Sequence, residues 1–471
     1  MDFATRGSHT GQALIESTTM PTARPGIRGP RQALLLAVAT ALSGCAHYAA
    51  LPLDPVPALS SAVPTPESAV SGALLSVAQV TALAVANNPD LRALRARRGV
   101  AQAQLLQSGI LPNPSLGAAV LPLLSGVGNV TAWSIGITQD VKALVTYRAR
   151  QRGANFATRQ VYADLLWQEW QVAGQARQIA VDLIAGERSR PLLTESFDLL
   201  SRRNIVLQQA LAAGNATLVT AAPTLVALQA GRSSLDAFEQ RQLALRHQLN
   251  ALLGIAPEVV VPLAAQPVLP PFDPAAIAAS LPGLAYRRPD LLALRLGYAA
   301  QDEAVRVAVL AQFPDLILGA TSSSDNSRVI NGGPSVTVGL PIFDRNQGNV
   351  AIANATRAQL HAEYAARLAA TVGQVGALLA EMQQLQGQLA VVRRDLPAAR
   401  VAATRAANAF GASILDERSY VDLVTNRYAK EQEIMTLELG LLDRQVALQT
   451  LVGADLPTVE TLPAVNERTP T

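Results

Sequence analysis

The sequence predicts a mainly α-helical chain with a small β part, written as a two-fold internal repeat of long helical hairpins with one β-hairpin in each copy. Three observations carry this reading. Sequence anchors recur in the same order at a spacing of about 200 residues. Each copy holds a very long helical stretch, at residues 148–213 and 349–410, and the second has coiled-coil spacing over 375–410. Each copy also carries two short proline-introduced segments separated by a turn-rich loop.

The chain of 471 residues opens on an export signal. Arg24, Arg28 and Arg31 form a basic region, residues 33–42 are a near-continuous apolar run, and small residues lead to Cys45. The run is too short to cross a hydrocarbon core of ~30 Å as a helix. Leu42-Ser43-Gly44-Cys45 resembles the bacterial lipobox, which implies that Cys45 carries covalent lipid and becomes the mature N-terminus. The alternative is an ordinary signal peptide with an incidental cysteine. The segment before Met20 reads as neither signal nor fold, so Met20 is a second candidate start. Cys45 is the only cysteine, which excludes a disulfide framework and a cysteine-based zinc site. The expected organisation is a signal over 1–44, an acylated linker over 45–74, repeats over 75–257 and 275–457, a linker over 258–274 and a tail over 458–471. Past Cys45 no apolar stretch has the length of a membrane-spanning helix, so any membrane crossing falls to β-structure.

The repeat is read from its anchors. Asn88-Pro89-Asp90-Leu91-Arg92-Ala93-Leu94-Arg95 returns as Arg288-Pro289-Asp290-Leu291-Leu292-Ala293-Leu294-Arg295. Leu111-Pro112-Asn113-Pro114 is echoed by Phe313-Pro314-Asp315, and Leu252-Leu253-Gly254 by Leu451-Val452-Gly453. A short helix (77–87; 275–286) stops ahead of the first proline, because that position is pushed out of helical geometry. A second helix runs to about Gly109 or Ala311. Strands are expected at 115–121 with 131–139, and at 316–322 with 335–340, around loops at 122–129 and 323–334.

In the second long stretch Val375, Leu378, Met382, Leu385, Leu389, Val392, Leu396, Ala399, Ala403, Ala406 and Phe410 follow alternating steps of three and four. Ile179, Leu183, Leu193, Phe197 and Leu200 keep a similar phase in the first. Pro191 and Pro397 are expected to kink these stretches or divide them. Gly214 and Gly411 mark reversals, from which shorter helices return to Gly254 and Gly453; glycine there suits a left-handed helix end.

Four strands cannot close a barrel, and the long apolar seams call for neighbours; a ring of subunits answers both. Here the sequence resembles the TolC-like outer-membrane efflux family, over about residues 75–457. The carrying motifs are Asn87-Asn88-Pro89-Asp90-Leu91, Leu111-Pro112-Asn113-Pro114 and Leu340-Pro341-Ile342-Phe343-Asp344-Arg345-Asn346-Gln347-Gly348. The last run is most similar to the heavy-metal (cobalt–zinc–cadmium type) branch. The resemblance implies a homotrimer with a 12-stranded barrel in the outer membrane and a helical tunnel across the periplasm. It also implies a periplasmic adaptor and an inner-membrane pump as partners. Heptad residues such as Leu385 and Val392 are then expected between subunits. The first copy departs from the pattern at Thr138-Gln139-Asp140-Val141-Lys142-Ala143, where a proline- and glycine-rich junction would stand.

Candidate functional positions follow. The Gly214 and Gly411 turns lie furthest from the strands and are the expected adaptor-docking points. Asp416, Glu417 and Asp422 follow Gly411 closely: either they favour a helix N-terminus through its dipole, or they form an acidic ring, with Asp416 and Asp422 as the candidate gate of the periplasmic mouth. No catalytic grouping is found. His9, His47, His247 and His361 lack second ligands at metal-site spacing, and no cofactor is expected beyond lipid on Cys45. Asn331-Gly332-Gly333-Pro334 reads as an extracellular turn. The formal charge is +3, +2 of it within residues 1–44, and Lys142 and Lys430 are the only lysines, which argues against nucleic acid. The alternative function is a periplasmic adaptor lipoprotein, for which one helical hairpin flanked by strand-rich segments would be expected.

Overall fold

The computed structural model describes residues 48–56, 59–64, 74–271 and 273–454. The chain divides into units at residues 1–57 and 58–471. In the first, 48–56 is an exposed segment without helix or strand. The second holds the repeat.

Its first copy contains α1 (Val77–Asn87), α2 (Pro89–Ser108), β1 (Ser115–Leu121), β2 (Ala132–Asp140), α3 (Lys142–Ala212) and α4 (Leu218–Leu253). The second contains α5 (Pro274–Ser280), a 3-10 turn (Leu281–Gly283), α6 (Leu284–Arg287), α7 (Pro289–Leu310), β3 (Leu316–Ser324), β4 (Ile330–Val338), α8 (Gln347–Gly411) and α9 (Glu417–Val452). Helix α1 starts at a capping box, in which Ser76 and Gln79 satisfy each other's backbone donors. Its single-helix counterpart, expected at 275–286, is broken in three because Pro282 and Gly283 fall inside it.

The duplicated anchors do the same job in each copy. The Asn88 side-chain amide donates to the Leu252 carbonyl at 3.1 Å, and Arg288 donates to the Leu451 carbonyl at 3.4 Å. Each ties the start of its second helix to the end of its return helix. Both return helices stop on left-handed glycines, Gly254 at φ +66° and Gly453 at φ +77°.

Pro191 and Pro397 do not divide their helices. α3 runs unbroken for 71 residues and α8 for 65, about 100 Å each. Each proline removes one backbone hydrogen bond, and both prolines are exposed, as are Glu187 and Arg393, whose carbonyls lose the donor. The lost bonds fall at exposed positions and not in the core, where an unpaired carbonyl would cost most, and the helices continue.

Much of the heptad stripe packs against the return helix of the same chain. Val375, Met382, Leu389, Val392, Ala399, Ala403 and Ala406 are buried. Val375 and Met382 share a cluster with Leu448 and Val452 of α9, and Ala403 shares one with Val424 and Tyr428. The return helix fills much of the seam: Val392 is buried inside the chain and Leu385 lies against Gly440 of α9. The largest core cluster joins Val80 and Ala84 of α1, Ala180, Val181 and Ile184 of α3, Leu249 of α4 and Val446 of α9, linking both hairpins near the middle of α3.

The two β-hairpins join through β2 and β3 into one antiparallel sheet of order β1-β2-β3-β4. Residues 331–334, expected as a turn, are instead paired in β4: Gly333 opposes Thr321 and Pro334 opposes Ala320. Only 325–329 form the loop. β4 is an edge strand of the chain, where proline's missing donor is tolerated.

Candidate functional site

The strand register sorts the sheet into two chemically distinct faces. Leu116 opposes Ile137, Val120 opposes Trp133, and Ile137 opposes Ala320, so these side chains share one face with Val336 and Val338. This apolar face is open: Leu116 is 72% exposed, Val120 68% and Val336 63%. The opposite face presents Ser134, Thr138, Thr321, Ser323, Ser335 and Thr337 with interspersed glycines. Strands of seven to nine residues approach the length that crosses a bilayer when tilted. An apolar outer face of this height is stable against lipid, whereas in water it would leave a large apolar patch unburied.

Two unlike joins connect the sheet to the long helices. In the first copy only Val141 separates β2 from α3, and the Asp140 carboxylate accepts from the Lys142 backbone at 2.8 Å. The residues that replace the expected junction thus form a direct strand-to-helix splice. In the second copy Asn346 takes φ 60° ahead of α8 and donates its side-chain amide to the Ala308 carbonyl at 2.7 Å.

At the far end of the hairpins a buried ion pair crosses between them. Glu417 accepts from Arg203 Nε at 3.0 Å and from Thr224 Oγ1 at 2.6 Å. The Arg203 guanidinium lies 4.2 Å above the Phe410 ring, which stacks on Tyr420 at 4.8 Å. Beside it Tyr428 donates to Glu195 at 2.9 Å, and burial together with that carboxylate pushes the Tyr428 hydroxyl up to about 12. A groove of about 990 Å³ runs between α4 and α9, with Val226, Asp416 and Asp422 on its walls.

Midway along the helices Gln178 donates to Asp182 at 3.2 Å and to Asp443 at 2.5 Å, drawing two carboxyls together across α3 and α9. Burial and the Asp443 charge push the Asp182 carboxyl up to about 6, against the pull of Arg241 at 3.6 Å.

Residues 282–454 match the family model described as outer membrane efflux protein. The chain superimposes on CusC with a TM-score of 0.65 at 18% identity, over 85% of this chain and 98% of that one. It superimposes equally, at 0.65, on VceC from Vibrio cholerae, an outer membrane protein, at 17% identity over 80% and 96% of the two chains. The CmeC outer membrane channel of Campylobacter jejuni gives 0.65 at 16% identity over 84% and 94%. The fold is that of the outer-membrane efflux channels. No curated protein matches the sequence.

Within this efflux-channel fold the sequence-derived positions fall as follows. Cys45 lies outside the described residues. Gly214 is left-handed at φ +76°, as a helix-ending glycine should be, and the Asn215 amide donates back to Ala210. Gly411 does not share that conformation. It is the last residue of α8, and Ser413 at φ 61° takes the left-handed position, with the Ile414 amide donating back to Ala409. The turn closes two residues later than the glycine suggests, because Ser413 and not Gly411 takes the left-handed position. Asp416 caps α9: its carboxylate accepts from the Ser419 backbone at 2.9 Å and hydroxyl at 2.7 Å, and these bonds hold it below the usual carboxylate range. Asp422 is exposed, 3.9 Å from Arg418. His247 and His361 are exposed. Among the described residues no group of three or more His, Cys, Asp or Glu could hold a metal ion, and no helix is long and apolar enough to cross a membrane.

The Arg203–Glu417–Thr224 cluster was not read as a site from the sequence. Its members come from three helices, with Phe410 from a fourth, and no short-range spacing marks them.

Proposed function

We propose that this chain is the channel subunit of a tripartite efflux system, a passive conduit that carries solutes from a periplasmic adaptor and inner-membrane pump through the outer membrane. One observation carries the reading: a four-stranded sheet with an exposed apolar face and two unpaired edges continues into helices about 100 Å long. Such edges must be closed by other copies before the sheet can enter lipid. Three copies give the 12-stranded barrel that the family resemblance implies, with the helices assembled as a tunnel across the periplasm. Measuring the mass of detergent-solubilised protein and its conductance in planar bilayers tests this. A trimer with channel activity is expected; a stable monomer in mild detergent overturns it.

The turns at Gly214 and Gly411 are the points that would meet the adaptor, since they lie a full helix length from the sheet. Exposed Leu218 and Val219 beside the first and Ile414 beside the second supply apolar contact surface. Gly214→Trp is expected to keep the trimer and abolish efflux in cells. Lipid on Cys45 would add a second anchor in the outer membrane, and Cys45→Ala is expected to lose palmitate labelling and reduce assembly. The 340–348 run, through its similarity to the heavy-metal branch, supports heavy-metal cations as one cargo.

A further inference from the structure

Charge is distributed unevenly between the two copies where the helices meet the sheet. Residues 91–108 of α2 and 141–163 at the start of α3 hold four and five Lys and Arg, and no Asp or Glu. The equivalent stretches of the second copy, 291–310 of α7 and 347–366 of α8, are balanced, with three arginines against Asp302, Glu303 and Glu363. The same arrangement of helices is thus built without an excess of positive charge, so the fold does not require it. Arg95 pairs with Glu169, Lys142 with Asp315 and Arg152 with Glu303; the remaining six bases of the first copy make no ion pair among the described residues. A neighbouring copy offers little to offset them at this level, because Asp302 and Glu303 are already held by Arg357, Arg306 and Arg152.

Arg148 stands seven residues past Val141, where the sheet ends, or about 10 Å along α3. The headgroup layer on each side of a bilayer is about 5–8 Å deep. Side chains on a helix lean towards its N-terminus, which in α3 is the sheet end, so the exposed Arg148 guanidinium reaches that layer. Leu144 (44% exposed) and Val145 (47%) share its side of α3 one turn nearer the sheet, and Phe343, just past β4, is 92% exposed. Apolar side chains at the edge of the sheet with an arginine one turn below match the order of groups in a lipid leaflet, acyl chain and then phosphate. We propose that this collar binds anionic phospholipid headgroups of the leaflet that faces the helices, with Arg148 as its central contact; this rests on the channel reading above. A net negative headgroup is needed, because a zwitterionic one carries its own cation and leaves the excess charge unanswered. Each base close to an anionic surface strengthens binding about fivefold.

Native mass spectrometry tests this on the full-length protein in mild detergent, titrated with phosphatidylglycerol or with phosphatidylcholine of the same acyl chains. The parent should bind phosphatidylglycerol at least about fivefold more tightly, and the preference should shrink as the ammonium acetate concentration is raised. Arg148→Gln should lose most of the preference and Arg148→Lys should keep it, since the charge is what the headgroup meets. Arg202→Gln, at an exposed arginine near the far end of α3, should leave it unchanged. Equal binding of the two lipids by the parent overturns the proposal, and so does a full preference retained in Arg148→Gln. The same spectra give the mass of the assembly, so the channel reading fails separately. A monomer that still prefers phosphatidylglycerol refutes the channel and keeps the collar; a trimer without the preference refutes the collar alone.

Discussion

Arg203 on α3 grips Glu417 at the first turn of α9, and the Phe410 ring closes over the guanidinium so that the contact joins both hairpins of the chain. Glu417 is almost wholly buried while Arg203 retains some solvent access. A pair in that setting contributes little when intact but costs much when one member is left alone. Glu417→Ala should therefore destabilise the hairpin ends by about 3 kcal/mol, the lower end for a broken buried pair. Thr224→Val should cost about 1 kcal/mol, for one hydrogen bond. Hydrogen exchange at the amides around Ser413 and Leu415 reads both; unchanged protection in Glu417→Ala would show that the pair does not hold the ends together.

The Asp182–Asp443 contact predicts a pH dependence of defined sign. The Asp182 carboxyl titrates near 6 in the folded chain against 3.8 ordinarily, so the folded state binds more protons between those values. Stability from this group is fully present below about pH 4 and declines as pH rises through about 6. Asp443→Asn removes the facing charge and should flatten that decline. Thermal melting across this range decides it, and equal slopes in parent and variant would refute the carboxyl pair as the cause.

The two hairpin turns should respond differently to the same substitution. Alanine at Gly214, where φ is +76°, should cost about 1–2 kcal/mol for a β-carbon in left-handed backbone. Gly411→Ala should be neutral or slightly stabilising, because it extends a helix into open space. Ser413→Gly should stabilise its turn by up to about 1 kcal/mol by relieving the strain at φ 61°. Denaturation of the three variants ranks them; a loss at Gly411→Ala equal to that at Gly214→Ala contradicts the turn geometry.

The two faces of the sheet predict opposite outcomes for neighbouring residues. Ile135→Arg places a charge on the apolar face and should cost about 2–4 kcal/mol near the bilayer midplane, blocking insertion. Ser134→Arg, on the hydroxyl face, should insert normally. Heat-modifiable migration of membrane fractions distinguishes the two, and equal insertion would mean that the faces are not lipid and lumen.

How much of this was legible in the sequence depends on the range over which each feature is written. The heptad stripe from Val375 to Ala406 is local and periodic, and those positions are buried. What periodicity did not reveal was the partner, since a coiled-coil seam looks the same whether the chain or a neighbour fills it. The Asn88 and Arg288 anchors were visible because duplication repeats them, although their carbonyl partners lie about 160 residues away. Gly332-Gly333-Pro334 misled because turn chemistry and a small-residue edge strand share one composition. Gly411 misled in a related way: glycine signals permission for left-handed backbone, and Ser413 adopts it without that permission. Glu417 stood in plain view as a first-turn acid, and only the meeting of separate helices gives it a second role.

The difference between the Gly214 and Ser413 turns reaches beyond the single chain. Three copies would set six hairpin ends around one axis, alternating between a glycine-closed kind flanked by Leu218 and Val219 and a serine-closed kind flanked by Ile414. The circle is then hexagonal in outline but only threefold in chemistry. A partner ring of six identical protomers would face unlike neighbours at every second step, so its protomers must either tolerate both kinds of end or settle into two alternating postures.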